Sequence, residues 1–114
     1  MNIHHLTSHP KIAPTRGLYS LATIVPQGDL VFMSGQTAGD REGNLVGADD
    51  VAAQTRQVFK NLGNVLNGVG ASFEDVTEFT IYLVGKESVN PFLETRVEVF
   101  KSIYPNAKYP CSTL

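Results

Sequence analysis

The chain has no tryptophan and one cysteine, Cys111. A lone thiol excludes an intrachain disulfide and any cysteine-rich metal centre, and it is consistent with a reducing compartment. Basic residues are not in excess either. Nine Lys and Arg against eleven Asp and Glu leave a net charge of −2, with a pI of 5.8. A nucleic-acid backbone is gripped by clustered cations that release counterions, and no such field is available, so no nucleic-acid partner is expected. No block of like charge marks a tail. No apolar signal core stands at the N-terminus, and no apolar run reaches the ~20 residues a membrane helix needs. The expectation is a soluble, cytoplasmic protein with no membrane partner. What is present is 114 residues, 42% of them hydrophobic. That length predicts one domain, 1–114, with a modest core, and self-association is a common way to bury more.

Leu30-Val31-Phe32-Met33-Ser34-Gly35-Gln36 is a short apolar run ending in small and polar residues. It follows the turn-like Pro26-Gln27-Gly28-Asp29 and reads as a buried strand leaving a hairpin. Its end carries a hydroxyl, a glycine and a carboxamide, which either satisfy neighbouring backbone or face a ligand. The first arm of the hairpin is Gly17–Val25, with Leu21, Thr23 and Val25 on one face and Tyr19 at the entrance. An antiparallel return places Tyr19 and Ser34 at the same sheet edge. The bland reading of Tyr19 is a rim aromatic with a wet hydroxyl. Ahead of this hairpin, Met1 to Arg16 carries His4, His5 and His9 without acidic or cysteine partners nearby. It reads as an arm with a short edge strand around Ile3 to Leu6, and no metal site is expected.

Two helices follow. Asp49-Asp50 offers an N-cap carboxylate. Val51, Thr55, Val58, Leu62, Val65, Leu66 and Val69 then recur at helical spacing until Asn67-Gly68 and Gly70 end the run. Ser72-Phe73-Glu74-Asp75 has the form of a capping box, and its acids read as surface charges. Val76–Val84 alternates, with Phe79, Ile81 and Leu83 on one face and Glu78, Thr80 and Tyr82 on the other, as in a strand covered on one side. Asn90-Pro91 predicts an N-cap and first turn for a helix reaching about Ile103. Arg96 falls in the middle of that helix's apolar face. A guanidinium cannot shed its charge, so a buried one needs a carboxylate, carbonyls or an anionic ligand; the alternative is that it snorkels to solvent. Cys111-Ser112-Thr113-Leu114 looks like the start of a strand. Cys111 reads as a small packed residue at strand entry, since no histidine stands near it in sequence. The order β-β-(β)-α-β-α-β predicts an α/β (α+β) domain: a mixed sheet with both helices on one face and the other face open for association.

Several of these stretches together resemble the YjgF/RidA family of reactive-intermediate deaminases, which has also been labelled endoribonuclease L-PSP. They are Gly17-Leu18-Tyr19-Ser20, Leu30–Gln36, Asp50-Val51-Ala52-Ala53-Gln54-Thr55, Asn61-Leu62 and Gly70-Ala71-Ser72-Phe73-Glu74-Asp75-Val76. The resemblance implies a chorismate-mutase-like fold and a homotrimer whose open sheet faces form a central barrel, with pockets between subunits. It also implies hydrolysis of 2-aminoacrylate-like enamines or imines to keto compounds and ammonia, with water as nucleophile and neither metal nor organic cofactor. The family's pocket tyrosine maps to Tyr19 and its strand-end serine to Ser34. Its helix asparagine maps to Arg96, a departure. Its carboxylate-clamping arginine maps to Ser112, a second departure, and its final strand, with a water-positioning glutamate, has no counterpart before Leu114. The expected pocket is therefore bounded by Tyr19, Ser34, Arg96, Cys111 and Ser112 and takes a small, carboxylate-bearing ligand; no catalytic residue is assigned. The alternative is a non-catalytic trimer that binds a metabolite or protein through the same clefts. Endoribonuclease activity finds no support in the composition.

Overall fold

The computed structural model describes residues 3–15 and 17–114. Met1, Asn2 and Arg16, the ends of the predicted arm, lie outside the described residues. The elements are β1 (His4–Leu6), β2 (Ala22–Ile24), α1 (Val51–Gly68), β3 (Glu78–Thr80), α2 (Val89–Ile103) and β4 (Cys111–Thr113). No helix is long and apolar enough to cross a membrane among these residues.

Both helices lie where their periodicity places them. The Asp50 carboxylate accepts the Ala53 N–H at 3.0 Å and so satisfies one of the free donors at the start of α1. At its other end Ala71 N–H donates to Leu66 O (2.9 Å) and Gly70 N–H to Asn67 O (3.1 Å). Gly70 makes this closure possible at φ 72°, a left-handed conformation that costs glycine little. Side-chain amides of the helix tie the preceding loop to it. Gln54 donates to Gly47 O (2.8 Å), and Asn61 donates to Gly39 O (2.8 Å) and Thr37 O (3.1 Å). Helix α2 begins one residue before the predicted N-cap. Ser88, not Asn90, precedes it, and the Ser88 hydroxyl donates to Val84 O at 2.6 Å. The tight turn Lys86–Ser88 runs straight into the helix, so Pro91 sits within the first turn, where its missing N–H loses nothing.

Between the layers lies an aromatic core. Phe59, Phe79, Phe92, Phe100 and Tyr104 are its buried members, with Phe73 and Tyr109 among the residues packed around them. Phe79 of β3 meets Phe59 of α1 (5.7 Å) and Phe100 of α2 (6.0 Å), so both helices cover the same face of the sheet. The Tyr104 hydroxyl donates to Phe73 O at 3.0 Å, and burial pushes its pKa well above the ordinary phenol value.

Parallel and antiparallel pairing both occur. β3 runs parallel to β4, with Phe79 opposite Ser112, and β2 runs antiparallel to β1, with His5 opposite Thr23. The two ladders are joined by Ser20 N–H donating to Pro110 O (3.1 Å) and by the Ser20 hydroxyl donating to Tyr109 O.

The predicted hairpin between Gly17–Val25 and Leu30–Gln36 is corrected here. The edge strand expected around Ile3 to Leu6 pairs with β2 instead. Successive backbone N–H groups point to opposite sides of an extended chain. Leu21 N–H goes to Leu6 O and Ser20 N–H to Pro110 O, so both sides of the β2 entry are already in use. Leu30–Gln36 is left without a strand partner, with Leu30 76% and Phe32 92% exposed. On β3 and just beyond it the predicted alternation holds. Phe79 is buried, Ile81 and Leu83 are half-buried, and Tyr82 and Val84 are about nine-tenths exposed, at 91% and 90%.

Candidate functional site

Helix α2 carries Phe92, Arg96 and Phe100 at four-residue intervals, which puts them in one file. The Arg96 guanidinium carbon lies 5.7 Å from each of the two ring centroids, and the residue is only 6% exposed. It does not snorkel. The chain Gly17–Tyr19 passes directly over it. A Cβ placed on Gly17 would stand 2.9 Å from the Tyr19 ring and 3.2 Å from Arg96 Nη2, so this close approach needs glycine. Burial lowers the guanidinium's pKa from its ordinary value, while the neighbouring Tyr19 phenol opposes that shift. An arginine remains protonated in proteins, so a full positive charge is held here.

Nothing on the same helix neutralises that charge. Glu98 is taken by Arg56 across the two helices (2.7 Å), which holds the Glu98 carboxyl below its ordinary range. Glu94 is exposed. Among the described residues, two buried side-chain polar atoms have no hydrogen-bond partner: Arg96 Nε and Ser112 Oγ. Both residues were singled out from the sequence. Partners in parallel register point to the same side of a sheet. Ser112 lies opposite Phe79 and therefore faces the helix layer, where Phe79 touches Phe100 and Phe100 flanks Arg96.

The remaining predicted residues lie elsewhere. Cys111 points to the open side of the sheet, its Sγ 3.4 Å from Thr23 Oγ1. Thr23 Oγ1 in turn lies 3.2 Å from His5 Nδ1. A histidine is thus two hydrogen bonds from the thiol, a link invisible to sequence proximity because it is made by β1–β2 pairing. Ser34 is exposed on the unpaired stretch, where its carbonyl accepts from Gln36 Nε2 at 3.4 Å. The structure joins Tyr19 to Arg96 and does not bring Ser34 to them. Two open clefts lie away from all five residues. One runs between α1 and α2 beside Arg56, Phe59, Gly63 and Phe73, the other beside Gln36, Asp40, Gln57 and Asn61.

His5 makes the site's surroundings pH-sensitive. Burial, followed by Lys108 and His4, lowers its pKa below the ordinary 6.5. The unfolded chain then binds that proton more readily than the folded one, so the contribution of neutral His5 is lost as pH falls through 6.5 towards the folded value. The expected result is a melting temperature lower at pH 5.5 than at pH 7.5, with the difference reduced in His5→Gln. An unchanged pH slope in that variant would remove His5 as the cause.

Comparison with known proteins adds a consistent set of likenesses. The profile of the Endoribonuclease L-PSP family matches residues 10–114. The chain is 29% identical to human 2-iminobutanoate/2-iminopropanoate deaminase over 113 residues, which is 98% of this chain and 81% of that protein. It is 33% identical to a RutC family protein of Pyrococcus abyssi over 92 residues, 81% of this chain and 68% of that one. Among solved structures it is similar to the conserved Rid family protein YyfB of Yersinia pestis. That match has a TM-score of 0.80 and 25% identity over all of this chain and 84% of the other. RidA of an Antarctic Psychrobacter follows the same fold with a TM-score of 0.61 and 28% identity, covering 96% and 83%.

Proposed function

The chain belongs to the Endoribonuclease L-PSP family, which includes the YjgF/RidA proteins, and on that premise we propose that it hydrolyses small imines or enamines to keto compounds and ammonia. The reaction adds water to the C=N carbon; the carbinolamine then expels ammonia as the carbonyl forms. The observation that carries this reading is the Tyr19 phenol laid against the buried Arg96 cation, in a chain similar along 98% of its length to a 2-iminobutanoate/2-iminopropanoate deaminase. Such a pair can hold an anionic imino acid in place while water attacks. Cys111 and Ser112 lie on the strand reached through Ser20. Neither metal nor organic cofactor is part of the proposal.

Ser34 enters through assembly. Its stretch is exposed and apolar, as are Tyr82 and Val84, which suits the homotrimer that the family pattern implies. In that arrangement the Leu30–Gln36 segment is covered by a neighbouring copy and brings its serine to an intersubunit pocket.

Ser112, standing where the resemblance expects the clamping arginine, favours a second reading: a trimer that binds keto or imino acids without turnover. One assay separates the two. Ammonia and keto-acid release is followed from enzymatically generated 2-aminoacrylate and from 2-iminobutanoate. Acceleration proportional to protein concentration is the expected result. Rates equal to the uncatalysed ones for every imine tried would discard the deaminase reading, and keto-acid binding under those conditions would establish the other.

A further inference from the structure

We propose that Arg96 is the carboxylate anchor of this protein, delivered from α2, and that Gly17–Tyr19 is the flap that a 2-oxo or 2-imino acid displaces to reach it. This rests on the small-molecule pocket just described and adds which charge holds the ligand and from which side it comes.

Several observations converge. Arg96 is 94% buried by its 6% exposure, yet its Nε has no partner among the described residues. A buried cation lacking a paired anion is strongly unfavourable, and a ligand carboxylate accepting two parallel N–H bonds is the group that fits a guanidinium edge. The two phenyl rings flanking the guanidinium, Phe92 and Phe100, offset part of the cost of holding the charge there. Nearby carboxylates on the helix cannot substitute, since Glu98 is engaged with Arg56. The cover is thin: one residue without a side chain, and one phenol. Ser112, whose hydroxyl is likewise buried and unpartnered, faces the same layer and stands at the position to which the family resemblance assigns the clamping arginine. On this proposal the anchoring charge comes from the helix and not from the strand.

The test is calorimetric titration with 2-oxobutanoate and with its uncharged amide, on wild type, Arg96→Lys and Arg96→Met, with folding checked by circular dichroism. The acid is expected to bind wild type at least ~10-fold tighter than the amide, and Arg96→Met to abolish that preference, since a charge-assisted bidentate pair exceeds a neutral one by that order. Arg96→Lys keeps the charge and loses the fork, so it falls between. A structural strut between two rings would leave the acid-to-amide ratio at one. If Arg96→Met does not fold, the wild-type ratio and Arg96→Lys decide alone. Equal binding of acid and amide, binding of neither to wild type, or an acid affinity unchanged in Arg96→Lys and Arg96→Met would overturn the anchor. Acid-selective binding without imine turnover would uphold the anchor and discard the deaminase reading. Turnover that survives Arg96→Met unchanged would do the reverse.

Discussion

Phe100→Ala is expected to lower the urea midpoint of unfolding by about 1.5–2.5 M, the largest loss of stability from one side chain in this chain. Phe100 is 0% exposed, and its ring contacts Phe59 (5.6 Å), Phe79 (6.0 Å), Tyr104 (5.0 Å) and Tyr109 (5.8 Å). Truncation removes the transfer energy of the ring and leaves a cavity that four aromatic neighbours fill poorly; such changes cost about 3–5 kcal/mol. A small domain has about 5–15 kcal/mol in total and an m-value near 2 kcal/mol per M, which gives the stated shift. The same change strips one of the two rings from Arg96 and leaves its charge less shielded. Phe100→Leu, which keeps most of the volume, is expected to lose less than half as much. A midpoint shift below ~0.5 M for the alanine variant would show that the aromatic cluster is not the cooperative core.

The second large effect is on assembly. Wild type is expected to size at about three times its 12.4 kDa mass, and Phe32→Glu as a single chain. Phe32 is 92% exposed, so in the isolated fold it rests on almost nothing, and its loss should leave the helix signal intact. Burying a phenylalanine side chain contributes about 1.5–3 kcal/mol, and a trimer buries three, so removal alone weakens association by roughly 10³ to 10⁶-fold. Placing a carboxylate at the same contact adds a desolvation cost. Lys101→Glu on the exposed side of α2 serves as the charge control and should keep the wild-type mass. Sedimentation velocity reads both outcomes. A monomeric wild type would remove the trimer, and a Phe32→Glu variant of unchanged mass and unchanged self-affinity would remove Leu30–Gln36 from its interface; either outcome removes the route by which Ser34 joins the pocket.

The helices were legible from the sequence because their signals are local. Asp50 before a run of period 3.6, and Pro91 followed by Phe92, Arg96 and Phe100, each declare themselves within one continuous stretch of chain. The alternation around Phe79 was equally local and correctly separated the covered face from Tyr82. The partner of β2 was not local. An apolar run such as Leu30–Phe32 is compatible with pairing on any free edge, and a turn at Pro26–Asp29 makes the adjacent edge the natural expectation. That edge was claimed by His4–Leu6 and by Pro110, segments distant in sequence whose competition no window of residues displays.

Arg96 shows the same division. By itself the sequence determined that a permanent cation sits on the apolar side of a helix, because helical spacing and the chemistry of guanidinium are both properties of the chain. Only the tertiary structure decided between solvent and interior. It did so by bringing Gly17, from the other end of the chain, so close that a Cβ there would stand 3.2 Å from Arg96 Nη2. Burial is a property of what else occupies the neighbouring volume, and the neighbours of Arg96 are set by the packing of α2 against a segment that the sequence places at the other end of the chain.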